Sequence, residues 1–207
     1  MGLITQTALA AGDVNAGKQL ARQGNGQGAT ACIACHGANG EGNAATGFPR
    51  LAGLNADYLA KQLHDYQSGS RQNPVMQPFA KAMSDSEIRN VAAYYASLDP
   101  KTGASRSATN QTGQELAMRG DWDATIPACI SCHGPGGRGI EPEFPALAGQ
   151  HASYITSQLQ AWRNGKRHND ENDLMKVVAE RLDSNQINAV AEYFANLSPV
   201  KNDSGNE

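Results

Sequence analysis

The chain has 207 residues, 40% of them hydrophobic, and a formal net charge of −3 from 17 Lys and Arg against 20 Asp and Glu. This length fits one large domain or two small ones, and the lack of a basic block argues against binding to nucleic acid. No run of about 20 apolar residues occurs, which excludes a transmembrane helix. A chain with so few apolar residues could not stabilise two separate cores by burial alone. Each core would need an additional stabilising element, such as a disulfide or a metal.

The N-terminal segment, residues 1–12, has features of an export signal. Ala8-Leu9-Ala10 fits the small-x-small pattern before a signal-peptidase site, but the apolar stretch ahead of it is short and carries no Lys or Arg. We interpret the segment as the remainder of a truncated signal, the alternative being an ordinary disordered N-terminus. This interpretation predicts a periplasmic protein.

All four cysteines lie in two copies of one motif, Cys-x-x-Cys-His. The copies are Cys32-Ile33-Ala34-Cys35-His36 and Cys129-Ile130-Ser131-Cys132-His133. This is the attachment motif for haem c, in which each thiol adds to one vinyl group of the porphyrin and the His ligates the iron. The sequence therefore predicts two covalently bound haem c groups.

Three other uses of these cysteines are alternatives. A redox-active Cys-x-x-Cys pair would need a thioredoxin-like βαβ pattern, which the sequence lacks. A zinc ribbon would share all four cysteines at one site, whereas here each pair has its own His and lies in its own repeat. A disulfide within a pair would close a loop too short to stabilise much of the chain.

The two halves of the chain repeat each other, and the repeat indicates the second ligand of each iron. The cysteine motifs are offset by 97 residues, and the second half later gains a three-residue insertion. A low-spin haem takes Met or His as its sixth ligand. Met76 and Met175 align with each other, so we assign them as axial ligands. Met83 aligns with Leu182 and is predicted to be core, with a fallback role as the ligand in the first half.

The hydrophobic pattern is helical throughout. Tyr58, Leu59 and Tyr66 fall on one face of a predicted helix, and their counterparts in the second half do the same. Capping-box sequences at 84–87 and 183–186 begin the last helix of each half. Since no convincing alternating strand pattern occurs, the fold class is predicted to be all-α.

Composition also divides the chain into domains. We predict an N-terminal domain over residues 13–99 and a C-terminal domain over residues 113–200. The linker between them, 100–112, is rich in Ser, Thr, Gly, Asn and Lys. Residues 201–207 are predicted to be a disordered tail.

The order of these motifs resembles the class I cytochrome c fold. In each half the Cys-x-x-Cys-His motif is followed by a Phe-Pro pair and Leu-Ala-Gly, an aromatic helix, a Met and a final helix with a Tyr-Tyr or Tyr-Phe pair. Two such domains in one exported chain look like the dihaem cytochrome c4 family, and the resemblance extends from about Asp13 to Pro199. It implies two tandem class I cytochrome c domains, each wrapped around one haem c with His and Met ligands.

The resemblance also implies roles for residues near each haem. Pro49 and Pro145 match the proline whose carbonyl accepts the second ring proton of the ligand His. Arg50 stands where it could reach a haem propionate, but Ala146 occupies the matching place in the second half. Because charge near a propionate tunes the iron, we expect the two haems to have different reduction potentials.

Two further arginines, Arg71 and Arg167, occupy matching positions in the two halves. They are either partners of the propionates or ordinary surface charges at helix ends, and the sequence leaves both alternatives open. Trp162 in place of Tyr66 is a second difference between the halves, and it adds to the expected difference in potential.

These features predict an electron carrier rather than an enzyme. With His and Met at both axial positions, neither iron keeps an open site for a substrate. The expected donor is a quinol-cytochrome c reductase or a dehydrogenase, and the expected acceptor is a haem-copper oxidase or a reductase. No nucleic-acid partner is expected, and any association with a membrane would be peripheral.

Two alternative functions stay open. The chain could be a tightly bound electron-transfer subunit of a larger dehydrogenase, which an exposed apolar patch at one haem edge would favour. It could instead be a dihaem enzyme of the peroxidase or thiosulfate dehydrogenase type. Such an enzyme would need one haem with a vacant or displaceable ligand.

Overall fold

The computed structural model describes residues 12–100 and 110–200. Within these ranges the chain forms ten α-helices, and its extended pairings are isolated β-bridges, so the fold is all-α as predicted. The helices of the first half are α1 (Val14–Gln23), α2 (Ile33–His36), α3 (Ala56–Ser68), α4 (Met76–Lys81) and α5 (Asp85–Ser97). Those of the second half are α6 (Gln111–Arg119), α7 (Ile130–His133), α8 (Ala152–Arg163), α9 (Leu174–Arg181) and α10 (Ser184–Ala195).

Three predicted segments fall largely outside the described residues: the export signal, the linker and the C-terminal tail. In the part of the chain that is described, no helix has the length and apolar character needed to cross a membrane. α6 starts at Gln111, inside the predicted linker of 100–112, and the domain bounds themselves stay a prediction. Asn110 starts this helix by accepting a hydrogen bond from the N–H of Gly113 at 3.0 Å.

In each half the first and last helices cross at a glycine. A Cβ atom on Gly17 of α1 would stand 1.9 Å from the carbonyl oxygen of Asn90 in α5. A Cβ atom on Gly113 of α6 would stand 2.1 Å from the carbonyl oxygen of Ala189 in α10. Both distances are far below van der Waals contact, so only glycine allows the helices to cross this closely.

Both predicted capping boxes are present. The Glu87 carboxylate accepts from the N–H of Ser84 at 2.8 Å, and the Ser84 hydroxyl accepts from the N–H of Glu87 at 3.4 Å. Asp183 and Gln186 make the same pair of bonds, at 2.8 and 3.0 Å. These bonds satisfy backbone donors that would otherwise be free, and so define where α5 and α10 begin.

Each half has its own apolar core. Tyr58, Leu59 and Tyr66 of α3 share one buried cluster with Ile88 and Val91 of α5. The corresponding cluster of the second half includes Ile155, Leu159, Trp162, Ile187 and Phe194. The helix faces predicted from the sequence are therefore confirmed as the buried faces.

The halves meet through the segments that follow α3 and α8. Residues 70–72 and 166–168 form a short antiparallel bridge, with backbone N···O distances of 2.8 and 2.9 Å. The two bonds are equivalent under the internal repeat, so matching side chains from the two halves face one another across the interface. This pairing places the two cysteine motifs around one shared interior.

Candidate functional site

Each Cys-x-x-Cys-His motif forms a single helical turn in the wall of an internal cavity. Cys32 stands at the N-cap of α2 and Cys129 at the N-cap of α7. All four cysteines are half-buried free thiols that line the cavity. Burial raises the pKa of Cys32, and it raises the pKa of Cys129 to about 11.

His36 is fixed by the loop that follows its motif. Its Nδ1 donates a hydrogen bond to the carbonyl oxygen of Pro49 at 3.1 Å. A carbonyl can only accept, so the ring proton lies on Nδ1 and Nε2 keeps its lone pair. Nε2 is buried and has no hydrogen-bond partner within the described residues. Burial lowers the pKa of His36, with the Pro49 bond acting against the shift, so the ring is neutral and suited to bind a metal.

His133 has the same arrangement in the second half. It is buried, and its Nδ1 donates to the carbonyl oxygen of Pro145 at 2.8 Å. Burial lowers the pKa of His133, the bond to Pro145 opposes that shift, and the charge of Arg167 adds to it. Each half therefore presents a neutral imidazole held at one nitrogen by a proline carbonyl.

Met76 and Met175 lie in the first turns of α4 and α9. Both are half-buried, pack against the core of their own half and line the cavity. The N–H of Met76 donates to the side chain of Asn73 at 3.0 Å, and that of Met175 donates to Asp170 at 2.8 Å. Met83 also lines the cavity but is buried in the first core. The matching residue of the second half is Leu182, which has no sulfur atom.

The cavity extends through both halves and has an empty volume of about 2360 Å³, its openings included. Its wall carries two pairs of thiols, two neutral imidazoles and three thioethers, surrounded by apolar and aromatic side chains. This donor set fits two flat apolar groups that are attached through thioether bonds and need nitrogen and sulfur ligands. Among the described residues, no three His, Cys, Asp or Glu side chains cluster around a single point, so a four-thiolate zinc site is not supported.

Two buried arginines face the cavity where the halves meet. Arg71 and Arg167 are only 4% and 5% exposed, so the alternative that they are surface charges is wrong. Arg71 donates to Gln62 at 2.9 Å and to Gln158 at 2.6 Å, and Arg167 donates to the same two glutamines at 3.1 Å each. Within the described ranges neither guanidinium pairs with a carboxylate. Since buried charges are normally paired, the site provides two cations for an anionic group.

Arg50 lies at the same interface but points at backbone. Its guanidinium donates to the carbonyl oxygens of Gly149 at 3.3 Å, of Ala148 at 3.0 Å, and of Ala52. Burial lowers the pKa of Arg50 to about 10, so the side chain is charged at neutral pH. Arg50 lines the cavity, and its contact with a propionate stays a prediction.

Gln150 is an interface residue that the sequence reasoning missed. Its side chain accepts from the N–H of Arg50 at 2.9 Å and donates to the carbonyl of Arg50 at 2.9 Å. Both groups are buried, so Gln150 acts as a substitute for backbone pairing between the halves. The repeat contains the signal that could have found it, because the matching position of the first half is Leu54.

Comparison with known proteins agrees with this geometry. The cytochrome c family model matches residues 14–99 and again residues 111–198. The thiosulfate dehydrogenase electron acceptor of Stutzerimonas stutzeri (strain A1501) is 48% identical over 185 residues, which cover 87% of this chain and 86% of that protein. Cytochrome c4 of Azotobacter vinelandii is 37% identical over 205 residues, which cover 94% of this chain and 93% of that protein.

Two solved structures have the same architecture. Reduced recombinant cytochrome c4 from Pseudomonas stutzeri matches with a TM-score of 0.79 and 36% identity, over 90% of this chain and 100% of that chain. The thiosulfate dehydrogenase (TsdBA) from Marichromatium purpuratum matches with a TM-score of 0.82 and 44% identity, over 90% of this chain. The match spans only 40% of the length of that dehydrogenase chain.

Two helical domains that each carry a Cys-x-x-Cys-His turn around a shared interior define a dihaem c-type cytochrome. The chain belongs to the dihaem cytochrome c4 family. It is an electron carrier of this type, with two covalently bound haem c groups that have His and Met axial ligands.

Proposed function

We propose that the chain is a periplasmic electron acceptor for a thiosulfate-oxidising dehydrogenase, and that it passes electrons on to a haem-copper oxidase or a reductase. The observation that supports a carrier is the pair of donor atoms in each half. An imidazole and at least one thioether line the cavity in each half, and as His and Met ligands they would fill both axial positions of a bound haem iron.

The ligands are assigned residue by residue. In the first half Cys32 and Cys35 attach the haem, and His36 and Met76 ligate its iron. In the second half the corresponding residues are Cys129, Cys132, His133 and Met175. The buried, unpartnered Nε2 of His36 supports this assignment, because such an atom is otherwise an unsatisfied polar group in the interior.

The bound haem supplies the one-electron chemistry, since its iron alternates between ferrous and ferric states. The carbonyls of Pro49 and Pro145 keep the two imidazoles oriented and make their Nε2 atoms stronger donors. The apolar cores of the two halves would exclude water from a haem bound in the cavity. The chain thus sets the ligand geometry and the surroundings, and carries out no substrate chemistry of its own.

Arg71 and Arg167 are proposed to balance the haem propionates at the interface between the halves. They are buried cations without carboxylate partners in the described structure, and both line the cavity. Arg50 adds a third cation nearby, on the side of the first half. Anionic groups placed here would bring the two haems toward one another, which favours electron transfer between them within one molecule.

The choice of donor rests on the relatives. Two relatives that are 48% identical over more than four-fifths of this chain carry the name thiosulfate dehydrogenase electron acceptor. A homologous segment forms part of the single chain of a solved thiosulfate dehydrogenase. A quinol-cytochrome c reductase is the other donor considered, because the cytochrome c4 relatives are also similar over nearly the whole chain.

Rapid mixing of the oxidised protein with each donor tests this proposal. We expect fast reduction of both haems when thiosulfate and a catalytic thiosulfate dehydrogenase are added together, and none when thiosulfate is added alone. Reduction by thiosulfate alone would instead indicate a dihaem enzyme. Reduction only by a quinol-cytochrome c reductase with its quinol would indicate a general carrier and contradict the proposed donor.

A further inference from the structure

The two halves hold their ligand methionines with segments of different charge. Residues 72–75, before Met76, carry no charged side chain. Residues 168–174, before Met175, include the three-residue insertion and contain Asp170, Glu171 and Asp173. The segments otherwise have the same role, because each leads from an interface arginine to the helix whose first turn carries the ligand.

A neutral side chain holds the methionine of the first half. The side-chain oxygen of Asn73 accepts from the N–H of Val75 at 2.9 Å and from the N–H of Met76 at 3.0 Å. These two bonds satisfy backbone donors at the start of α4 and fix the first turn, which carries the thioether.

A carboxylate takes over this task in the second half. Oδ2 of Asp170 accepts from the N–H of Met175 at 2.8 Å and from the N–H of Lys176 at 3.0 Å. Oδ1 of Asp170 accepts from Nε1–H of Trp162 at 2.7 Å. Both oxygens of Asp170 therefore accept hydrogen bonds, and the carboxylate is bonded directly to the backbone N–H of the ligand methionine.

We propose that Asp170 is a positioning residue that lowers the reduction potential of the C-terminal haem by placing a fixed negative charge behind Met175. The proposal rests on the proposed function, in which Met175 ligates that iron. A nearby negative charge stabilises the more positive ferric state, so the ferrous state becomes harder to reach. Asn73 accepts from the N–H of Met76 without carrying a charge, so the N-terminal haem lacks this effect.

The neighbouring charges do not cancel the difference. Glu171 and Asp173 are exposed, and Lys176 lies 3.7 Å from Asp173, so solvent and pairing screen these groups more than the half-buried Asp170. Cζ of Arg167 lies 3.8 Å from the centre of the Trp162 ring, and in the first half Cζ of Arg71 lies 4.7 Å from the centre of the Tyr66 ring. Both halves have such an arginine, so this contact does not offset the charge of Asp170. Arg50, which is replaced by Ala146 in the second half, is a separate charge difference on the side of the first half.

The first test is a redox titration of the holoprotein carrying Asp170→Asn. We expect the equilibrium constant for reduction of one haem to increase about tenfold. For a one-electron couple this corresponds to a rise of about 59 mV in the reduction potential of that haem. A Met175→His variant identifies that haem, because replacing the thioether by imidazole moves only the C-terminal potential downward. The weak red absorption band of methionine on ferric haem should keep its intensity in Asp170→Asn.

The reciprocal variant keeps the proposal testable if Asp170→Asn disturbs the ligand. Asn73→Asp introduces the carboxylate into the first half and should lower only the N-terminal potential, with the red band retained. An unchanged potential in Asn73→Asp together with loss of the red band in Asp170→Asn would mean that Asp170 acts only structurally, and would overturn the proposal.

Two controls separate charge from shape. Trp162→Phe removes the N–H donor but keeps the carboxylate, so the C-terminal potential should not rise. Glu171→Gln removes an exposed charge from the same insertion and should shift the potential less than Asp170→Asn does. Equal shifts from Glu171→Gln and Asp170→Asn would contradict a specific role for Asp170. The Met175→His result tests ligation separately, so failure of the proposed ligand is distinguishable from failure of this inference.

Discussion

The two halves of the molecule share their framework but differ around it. Both cross their first and last helices at a glycine, both begin the last helix with a capping box, and both orient a histidine on a proline carbonyl. The differences include Arg50 against Ala146, Leu54 against Gln150, Tyr66 against Trp162, and the side chain that bonds to the N–H of the methionine, which is Asn73 in the first half and Asp170 in the second. The parts that must contact the haem are repeated, whereas the parts that surround those contacts vary.

The largest expected effect comes from removing a ligand in one half at a time. Met76→Ala and Met175→Ala should each remove half of the red methionine band and lower the potential of one haem, because the thioether favours ferrous iron. The oxidised absorption spectrum and a redox titration measure both effects. Met83→Leu, which copies Leu182, should leave the band intact. Loss of half the band in Met83→Leu would make Met83 the ligand of the first half.

Substitution of the two crossing glycines tests whether the first and last helices pack equally closely in both halves. Gly17→Ala and Gly113→Ala should each lower the free energy of unfolding by about 1–3 kcal/mol, since the added Cβ overlaps a carbonyl oxygen of the facing helix. Urea denaturation measures this loss. Gln19→Ala and Gln114→Ala, at exposed positions of the same helices, are the matched controls. Equal stability of the glycine variants and their controls would contradict the close crossing.

Gln150→Leu makes the second half resemble the first at an interface position. The change leaves the buried N–H and C=O of Arg50 without partners and should cost about 2 kcal/mol of stability. Thermal or urea unfolding measures the cost. Gln160→Leu, at an exposed position of α8, is the control for added hydrophobicity and should have little effect. A similar loss in both variants would argue against the Arg50 bonds.

The smallest effect is a pH dependence of the first capping box. Hydrogen bonds from Ser84 lower the pKa of Glu87 below its ordinary value of 4.5. Its stabilisation is therefore present above that value and is lost as the pH falls through the lower pKa of the folded state. Glu87→Gln should be slightly less stable than the parent at neutral pH and equal to it in acid, by urea midpoints. A difference that persists in acid would contradict this origin.

Much of the fold could be predicted because its signals are local. The faces of α3 and α8, the capping boxes at Ser84 and Asp183 and the two cysteine motifs all depend on residues close in sequence. The haem prediction also needed only local spacing, since thiols and His act within one turn. The pairing of Met76 with Met175 needed the repeat as well, because a single methionine has no signal of its own.

The interface could not be predicted because its partners are distant in sequence. Arg71 and Arg167 are found among glutamines contributed by both halves, which neither half indicates alone. Gln150 bonds to the backbone of Arg50, and backbone groups leave no trace in the sequence. The role of Asp170 could not be predicted for a different reason. The residue lies in an insertion, where the alignment of the two halves is interrupted.

The interface between the halves has a consequence for how the two redox centres can differ. Arg71 of the first half donates to Gln158 of the second, and Arg167 of the second half donates to Gln62 of the first. The two hydrogen bonds are therefore reciprocal. This is the self-complementary symmetry of a homodimer, contained here within one polypeptide. In a homodimer every substitution appears in both copies, whereas in a tandem chain it appears in one. A tandem chain thus keeps the two halves together at any dilution and can carry Asp170 in one half and Asn73 in the other.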